Sequence, residues 1–177
     1  MVKINPSLMF SGACGNAFRR YASLFGGEIV YMLTYAESPL AREVPPDWRD
    51  KVWFARLRAG GLDLTGGDVL PRDYETPRGF SMVLGVANAD EADRVFAGLA
   101  DGGEVIMPLQ ATHWSPRYGL VRDPFGIRWE INCDAEPSST RPDSLSEVRE
   151  AKTSSSSHTS CGTKATEALQ RQEARSA

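Results

Sequence analysis

The chain has 177 residues, 41% hydrophobic and 24% charged, and its 20 Lys and Arg against 23 Asp and Glu leave a net charge of -3. That balance is ordinary for a globular protein with one or two small cores and carries no basic footprint for nucleic acid, although a local patch can still oppose the total. No apolar run reaches the length of a membrane span, no leader-type segment opens the chain, and Cys14, Cys133 and Cys161 lack metal-type or disulfide-type spacing, so a reduced, cytoplasmic chain without membrane or nucleic-acid partners is expected.

Ile4–Phe10 is predicted as a short strand, followed by Ser11 as N-cap of a helix over Ala13–Phe25. Its apolar positions, Cys14, Ala17, Phe18, Tyr21, Leu24 and Phe25, repeat at the spacing of one helix face, with Arg19 and Arg20 off the stripe. Gly26-Gly27 stops it. Glu28–Tyr35 is predicted as a strand, and Ala36–Asp50 is too proline-rich for a helix interior and reads as a loop. Val52–Arg58 and Leu62–Thr65 form a hairpin at Gly60-Gly61. After a second loop come a strand over Phe80–Val86 and a helix over Ala89–Leu99, introduced by a capping box of Asn88 and Glu91. Strands over Val105–Thr112, Tyr118–Arg122 and Ile127–Cys133 complete the pattern.

The element order is strand, helix, three strands, and then the same again, a repeat of about 75 residues judged by order rather than identity. Both helices end in a glycine pair followed by Glu and a strand, Phe25-Gly26-Gly27-Glu28 and Asp101-Gly102-Gly103-Glu104. One helix covers only one face of a four-stranded sheet, so the other face is left for a second half, a partner chain or a ligand. The boundaries expected are one folded region over 1–134, with halves at about 3–68 and 79–134, and a disordered tail over 135–177. The tail has no aromatic residue and is rich in Ser, Thr, Glu, Arg and Lys, with a weak helix predicted over Thr163–Arg175. Its His158 and Cys161 fall short of the three or four ligands a stable metal site needs.

Met107–Asn132 concentrates the candidate chemistry. Strand alternation sets Trp129 and Ile131 on one face and Glu130 and Asn132 on the other. A carboxylate placed so is either solvated or lines a polar cavity. If Gln110–Trp114 continues its strand, Gln110, Thr112 and Trp114 share one face, and His113, the only histidine before the tail, points away with Ala111 unless a bulge intervenes. Trp48 lies in a loop that a ligand can draw down as a lid. Arg122 and Arg128 suit an anionic substrate, and equally suit solvent. No Ser-His-Asp arrangement is present, and the glycine pairs end helices rather than precede them, so they are not phosphate loops.

Several of these residues carry a family. Ile4-Asn5-Pro6 with Phe10, Tyr21 with Leu24-Phe25-Gly26-Gly27, Pro46-Asp47-Trp48, Ala55-Arg56-Leu57, and Met107-Pro108-Leu109-Gln110 with Trp114, Tyr118-Gly119, Asp123-Pro124-Phe125-Gly126, Trp129 and Asn132 resemble the PhnB-like branch of the vicinal-oxygen-chelate superfamily, which includes glyoxalase I, bleomycin-resistance proteins and extradiol dioxygenases. The resemblance runs from about Ile4 to Cys133. It implies an α+β fold of two βαβββ modules forming a cupped mixed sheet around a ligand, often in a homodimer. For the superfamily's metalloenzymes it also implies a divalent ion on the cup, held by two carboxylates and two His or Gln and His, that chelates adjacent substrate oxygens. Here the last-strand acid matches Glu130, and the fourth-strand acid matches Asp63 in Leu62-Asp63-Leu64-Thr65. The two histidine positions hold Asn5 or Pro6 and Phe80 or Ser81 instead.

Two readings follow from the resemblance. In the first, the protein is an enzyme of the lyase, isomerase or dioxygenase kind, acting on a small oxygenated molecule with Glu130 and Asp63 as metal ligands or Glu130 as the catalytic base. In the second, it is a non-catalytic binding protein of the bleomycin-resistance type, contacting its ligand through Gln110, Trp114, Trp48 and Arg128. Relatives of this branch carry a ubiquinone-pathway methyltransferase label, but no glycine-rich loop follows the first strand, and the element order differs from the doubly wound fold.

Overall fold

The computed structural model describes Val2 and residues 4–134. The expectations for the tail, its Thr163–Arg175 helix and the His158 and Cys161 pair among them, lie outside the described residues. The order is β1 (Ser7–Phe10), α1 (Cys14–Phe25), β2 (Glu28–Thr34), β3 (Val52–Ala59), β4 (Leu62–Asp68), β5 (Met82–Val86), α2 (Ala89–Ala100), β6 (Glu104–Gln110), β7 (Tyr118–Arg122) and β8 (Arg128–Cys133), with one-turn 3₁₀ segments in the two long loops. Each half makes its own four-stranded mixed sheet, β1-β4-β3-β2 and β5-β8-β7-β6. The outer strands β1 and β5 pair in parallel with β4 and β8, and the remaining pairs are antiparallel.

Strand alternation sends Leu8, Phe10, Ala55, Leu57, Val121, Trp129 and Ile131 inward, where they meet Cys14, Ala17, Phe18 and Tyr21 of α1 and Ala92, Val95 and Leu99 of α2 in one core. Burying each large side chain of this set contributes about 1.5–3 kcal/mol. The halves are tied by more than apolar contact. Arg20, predicted off the apolar stripe, donates to the carbonyl of Gly98 at 2.6 Å and to that of Asp101 at 2.7 Å, at the C-terminal end of α2, where the helix dipole favours a cation. The aromatic rings of Tyr21, Phe25 and Trp129 meet with centroids 5.1–5.7 Å apart.

Two buried aspartates organise the turns. Asp123, 3% exposed, opens the Asp-Pro-Phe-Gly turn. One of its carboxylate oxygens accepts the backbone N–H groups of Phe125 and Ile127, both at 2.9 Å, and the other accepts the Tyr21 hydroxyl and, at 2.8 Å, the Trp129 indole N–H. Asp68, 2% exposed, accepts from the N–H groups of Cys14 and Val52, both at 2.9 Å. Asp68 thereby caps α1, and the expected Ser11 cap is replaced: the helix starts at Cys14 with Ala13 as its N-cap and no local side-chain bond. Burial raises the Asp68 carboxyl above its ordinary value, opposed by those backbone donors.

Other boundaries shift for physical reasons. Pro6 has no N–H, so β1 starts at Ser7, one residue beyond it. Strand β4 runs on through Gly66 and Gly67, beyond its predicted end at Thr65. A Cβ at Gly66 would lie 2.5 Å from the Leu8 carbonyl oxygen and 2.8 Å from the Phe18 ring, so glycine there permits α1 and β1 to close on the sheet. Leu62 lies at the hairpin end and is 45% exposed.

Candidate functional site

Parallel and antiparallel pairing place Glu130 between Val83 of β5 and Leu120 of β7. Trp129 and Ile131 are 1% and 0% exposed in the core, so Glu130 lies on the opposite, open face. The Ser81 hydroxyl, just before β5, donates to one carboxylate oxygen, and the Tyr118 hydroxyl of β7 donates to the other at 2.8 Å. The bonds from Ser81 and then Tyr118 hold Glu130 below the ordinary carboxylate value against the opposing effect of burial, with a smaller contribution from the Arg128 guanidinium. The same bond, with burial, raises Tyr118. At neutral pH the pair is therefore a carboxylate receiving a hydrogen bond from a neutral phenol.

Tyr118 links this carboxylate to the other sequence candidates. Gln110, the last residue of β6, is its register partner and is exposed. The expected strand over Gln110–Trp114 does not form, because the chain turns: Thr112 N–H donates to the Ser115 carbonyl at 2.8 Å, and Ser115 N–H returns a bond to the Thr112 hydroxyl at 3.1 Å. The Ser115 hydroxyl donates to the Cys133 carbonyl at 2.7 Å, pinning the loop to the end of β8. Trp114, 52% exposed, meets the Tyr118 ring edge-on at 5.4 Å and His113 at 4.4 Å. Arg128 is two residues before Glu130 on β8 and exposed. Glu130, Gln110, Trp114 and Arg128 thus gather around Tyr118 and the open face of the second sheet.

Trp48 and Asp63 belong to the first module. Trp48 lies in the 3₁₀ turn Pro46–Trp48, half-buried against the Gly12 turn of the first module. Asp63 is in the first sheet, bridged by Arg56 and, at 3.2 Å, by Arg58, and the Arg56 bond foremost depresses its carboxyl. The donor set does not fit a divalent ion. Glu130 and Asp63 each already have two protein donors, and among the described residues no three His, Cys, Asp or Glu side chains converge.

Ser81 and Tyr118 were not on the sequence list of site residues. The signal for Tyr118 was present: a hairpin across Asp123–Gly126 puts Tyr118 on the Glu130 face. Ser81 needed the parallel β5–β8 pairing, which no local pattern specifies. A cleft of about 580 Å³ lies among the Glu43–Pro45 and Leu70–Arg72 loops.

Two βαβββ modules, each with a helix on one face of a mixed sheet and the other face open, make this a protein of the vicinal-oxygen-chelate fold. The chain belongs to the PhnB-like family of that superfamily, whose family model, described as 3-demethylubiquinone-9 3-methyltransferase, matches residues 2–132. It is 32% identical over 139 residues to Protein YjdN of Escherichia coli (strain K12), covering 73% of this chain and 93% of that one. Among solved structures it is similar to protein PA1353 from Pseudomonas aeruginosa, at 39% identity and a TM-score of 0.70, covering 77% of this chain and 100% of that one. It is also similar to a PhnB protein from Bacillus cereus, at 28% identity and a TM-score of 0.65, covering 75% and 99%.

Proposed function

We propose that this protein binds a small oxygenated molecule over Glu130 on the open face of the second sheet, without a metal ion, as a binding protein of the bleomycin-resistance type. The observation that carries the reading is the engagement of both Glu130 oxygens by Ser81 and Tyr118. A carboxylate so held is a fixed, ionised acceptor for a ligand hydroxyl or amine. Its lowered basicity suits that role better than general-base catalysis, which favours a carboxyl raised toward neutral pH. Trp114 supplies a flat, half-exposed wall, and Gln110 offers both a donor and an acceptor at the rim. Methyl transfer, printed in the family description, finds no support in a mixed sheet without the parallel crevice of the doubly wound fold.

A second copy of the chain is the proposed cover for the apolar side chains left on the open faces, such as Met9 and Tyr31 of the first sheet, 43% and 39% exposed, and Val83 of the second, 63% exposed. The buried free thiols of Cys14 and Cys133 suit a reducing, cytoplasmic compartment.

The test is metal analysis of protein purified without chelator, combined with melting temperatures against a panel of small hydroxylated and carboxylated molecules. Metal-free protein with a ligand-dependent rise in melting temperature, abolished in Glu130→Gln, supports the reading. Stoichiometric metal that is lost in Glu130→Ala replaces it with the metalloenzyme reading.

A further inference from the structure

We infer that the ligand of this face carries an oxyanion, a carboxylate or phosphate group, bound in an arginine-lined cleft beside Glu130. The inference rests on the proposed position of the ligand over the second sheet. At the β7–β8 end of that sheet, register sets Arg122 directly opposite Arg128. The segment leading into β5 adds Arg78, and these three side chains with Thr76 and Phe80 line a cleft of about 420 Å³.

Like charges directly opposite on one sheet face repel each other. Only part of that repulsion is relieved within the chain. Arg122 pairs with Glu104 at 2.5 Å, at an exposed position outside the cleft lining. Among the described residues, Arg78 and Arg128 make no ion pair and no side-chain hydrogen bond, and no carboxylate lines the cleft. The excess is local, because the whole chain is net negative at -3. The first sheet makes the contrast: there Arg56 and Arg58 both pair directly with Asp63. In the second sheet Arg122 has Glu104, but no carboxylate lies within ion-pair distance of Arg78 or Arg128 among the described residues.

The chemistry of the cleft selects its ligand. Guanidinium forks match the paired oxygens of a carboxylate or phosphate, which they bind through two parallel hydrogen bonds. Phe80, 47% exposed, gives the wall an apolar patch. The volume lies within the range of about 300–1,000 Å³ usual for small-molecule sites, and is too small for a polymer. Glu130, two residues from Arg128 on the same face, accepts a hydroxyl or amine at the other end of the molecule. The ligand class is a small apolar or aromatic molecule with an anion at one end and a hydrogen-bond donor at the other.

Calorimetry and melting temperature at low ionic strength, on the full chain, test this with phenyl phosphate, benzoate and phenol as probes. The two anions are expected to bind, with phenol weaker by about tenfold or more, and Arg128→Gln and Arg78→Gln are each expected to weaken the anions by about tenfold while leaving phenol unchanged. Arg49→Gln, on an exposed loop of the first module, is expected to bind like the parent chain. Unliganded circular dichroism and melting curves matching the parent establish that the variants fold. If phenol binds as tightly as the anions, or both cleft variants bind the anions like the parent, the oxyanion inference falls and the binding reading stands. If none of the three probes binds, both fall.

Discussion

Glu130 and Asp123 are both acids of the β7–β8 region, and their surroundings give them opposite tasks. Asp123 is buried under four donors that fix a turn and join the modules through Tyr21. Asp123→Ala strands those donors in the core and is expected to cost about 3–5 kcal/mol, read as a lowered urea midpoint. Glu130 faces outward and keeps its charge. Its folded pKa lies below its unfolded one, so the stability it contributes is complete above the unfolded value of about 4.3 and is lost as pH falls through the folded value. The difference in unfolding free energy between the parent and Glu130→Gln is therefore expected to close on acidification below about pH 4. Tyr118→Phe removes one of the two donors, and the Glu130 carboxyl is expected to titrate higher, which side-chain carbon NMR measures directly; an unchanged midpoint would show that the Tyr118 bond does not tune it.

At the scale of elements, the sequence carried the helices and strands but not their caps and ends. The apolar stripe of α1 and the Asn88 cap of α2 were legible because both are local: Asn88 accepts from Glu91 N–H at 2.9 Å, while the Glu91 carboxylate accepts from the N–H of Ala87 rather than that of Asn88 as the predicted capping box requires. The cap of α1 was not, because Asp68 comes from β4, 54 residues from Cys14. The end of β6 was misread for a similar reason. Thr112 and Ser115 find their bonding partners in each other and in β8 rather than along a ladder, and this takes Trp114 out of the strand and onto Tyr118. Close approach is likewise a tertiary fact. Gly66→Ala is expected to destabilise the β1–β4 pair by about 1–3 kcal/mol, since its Cβ meets a backbone carbonyl that cannot move aside. A melting temperature equal to the parent would refute it.

At the scale of the whole molecule, the described core closes between Leu8 and Cys133. The open sheet faces lead to a further expectation, sedimentation as a dimer, with Val83→Lys and Tyr31→Lys together shifting the boundary toward the monomer. A monomeric parent would remove the second copy as the cover for those faces.

The repeat of strand, helix and three strands, the two helix faces and the outward direction of Glu130 all follow from periodicity, glycine stops and strand alternation. These are set by neighbours within a few residues, and the sequence determined them unaided. The site was another matter. That Ser81 and Tyr118 clasp Glu130, that Asp63 is spent on Arg56 and Arg58, and that Arg78, Arg122 and Arg128 share one cleft depend on which strands pair and in what register. Pairing is decided by the burial of a core assembled from both modules, so only the tertiary structure could separate an acid spent on two arginines from one held by a serine and a tyrosine on an open face.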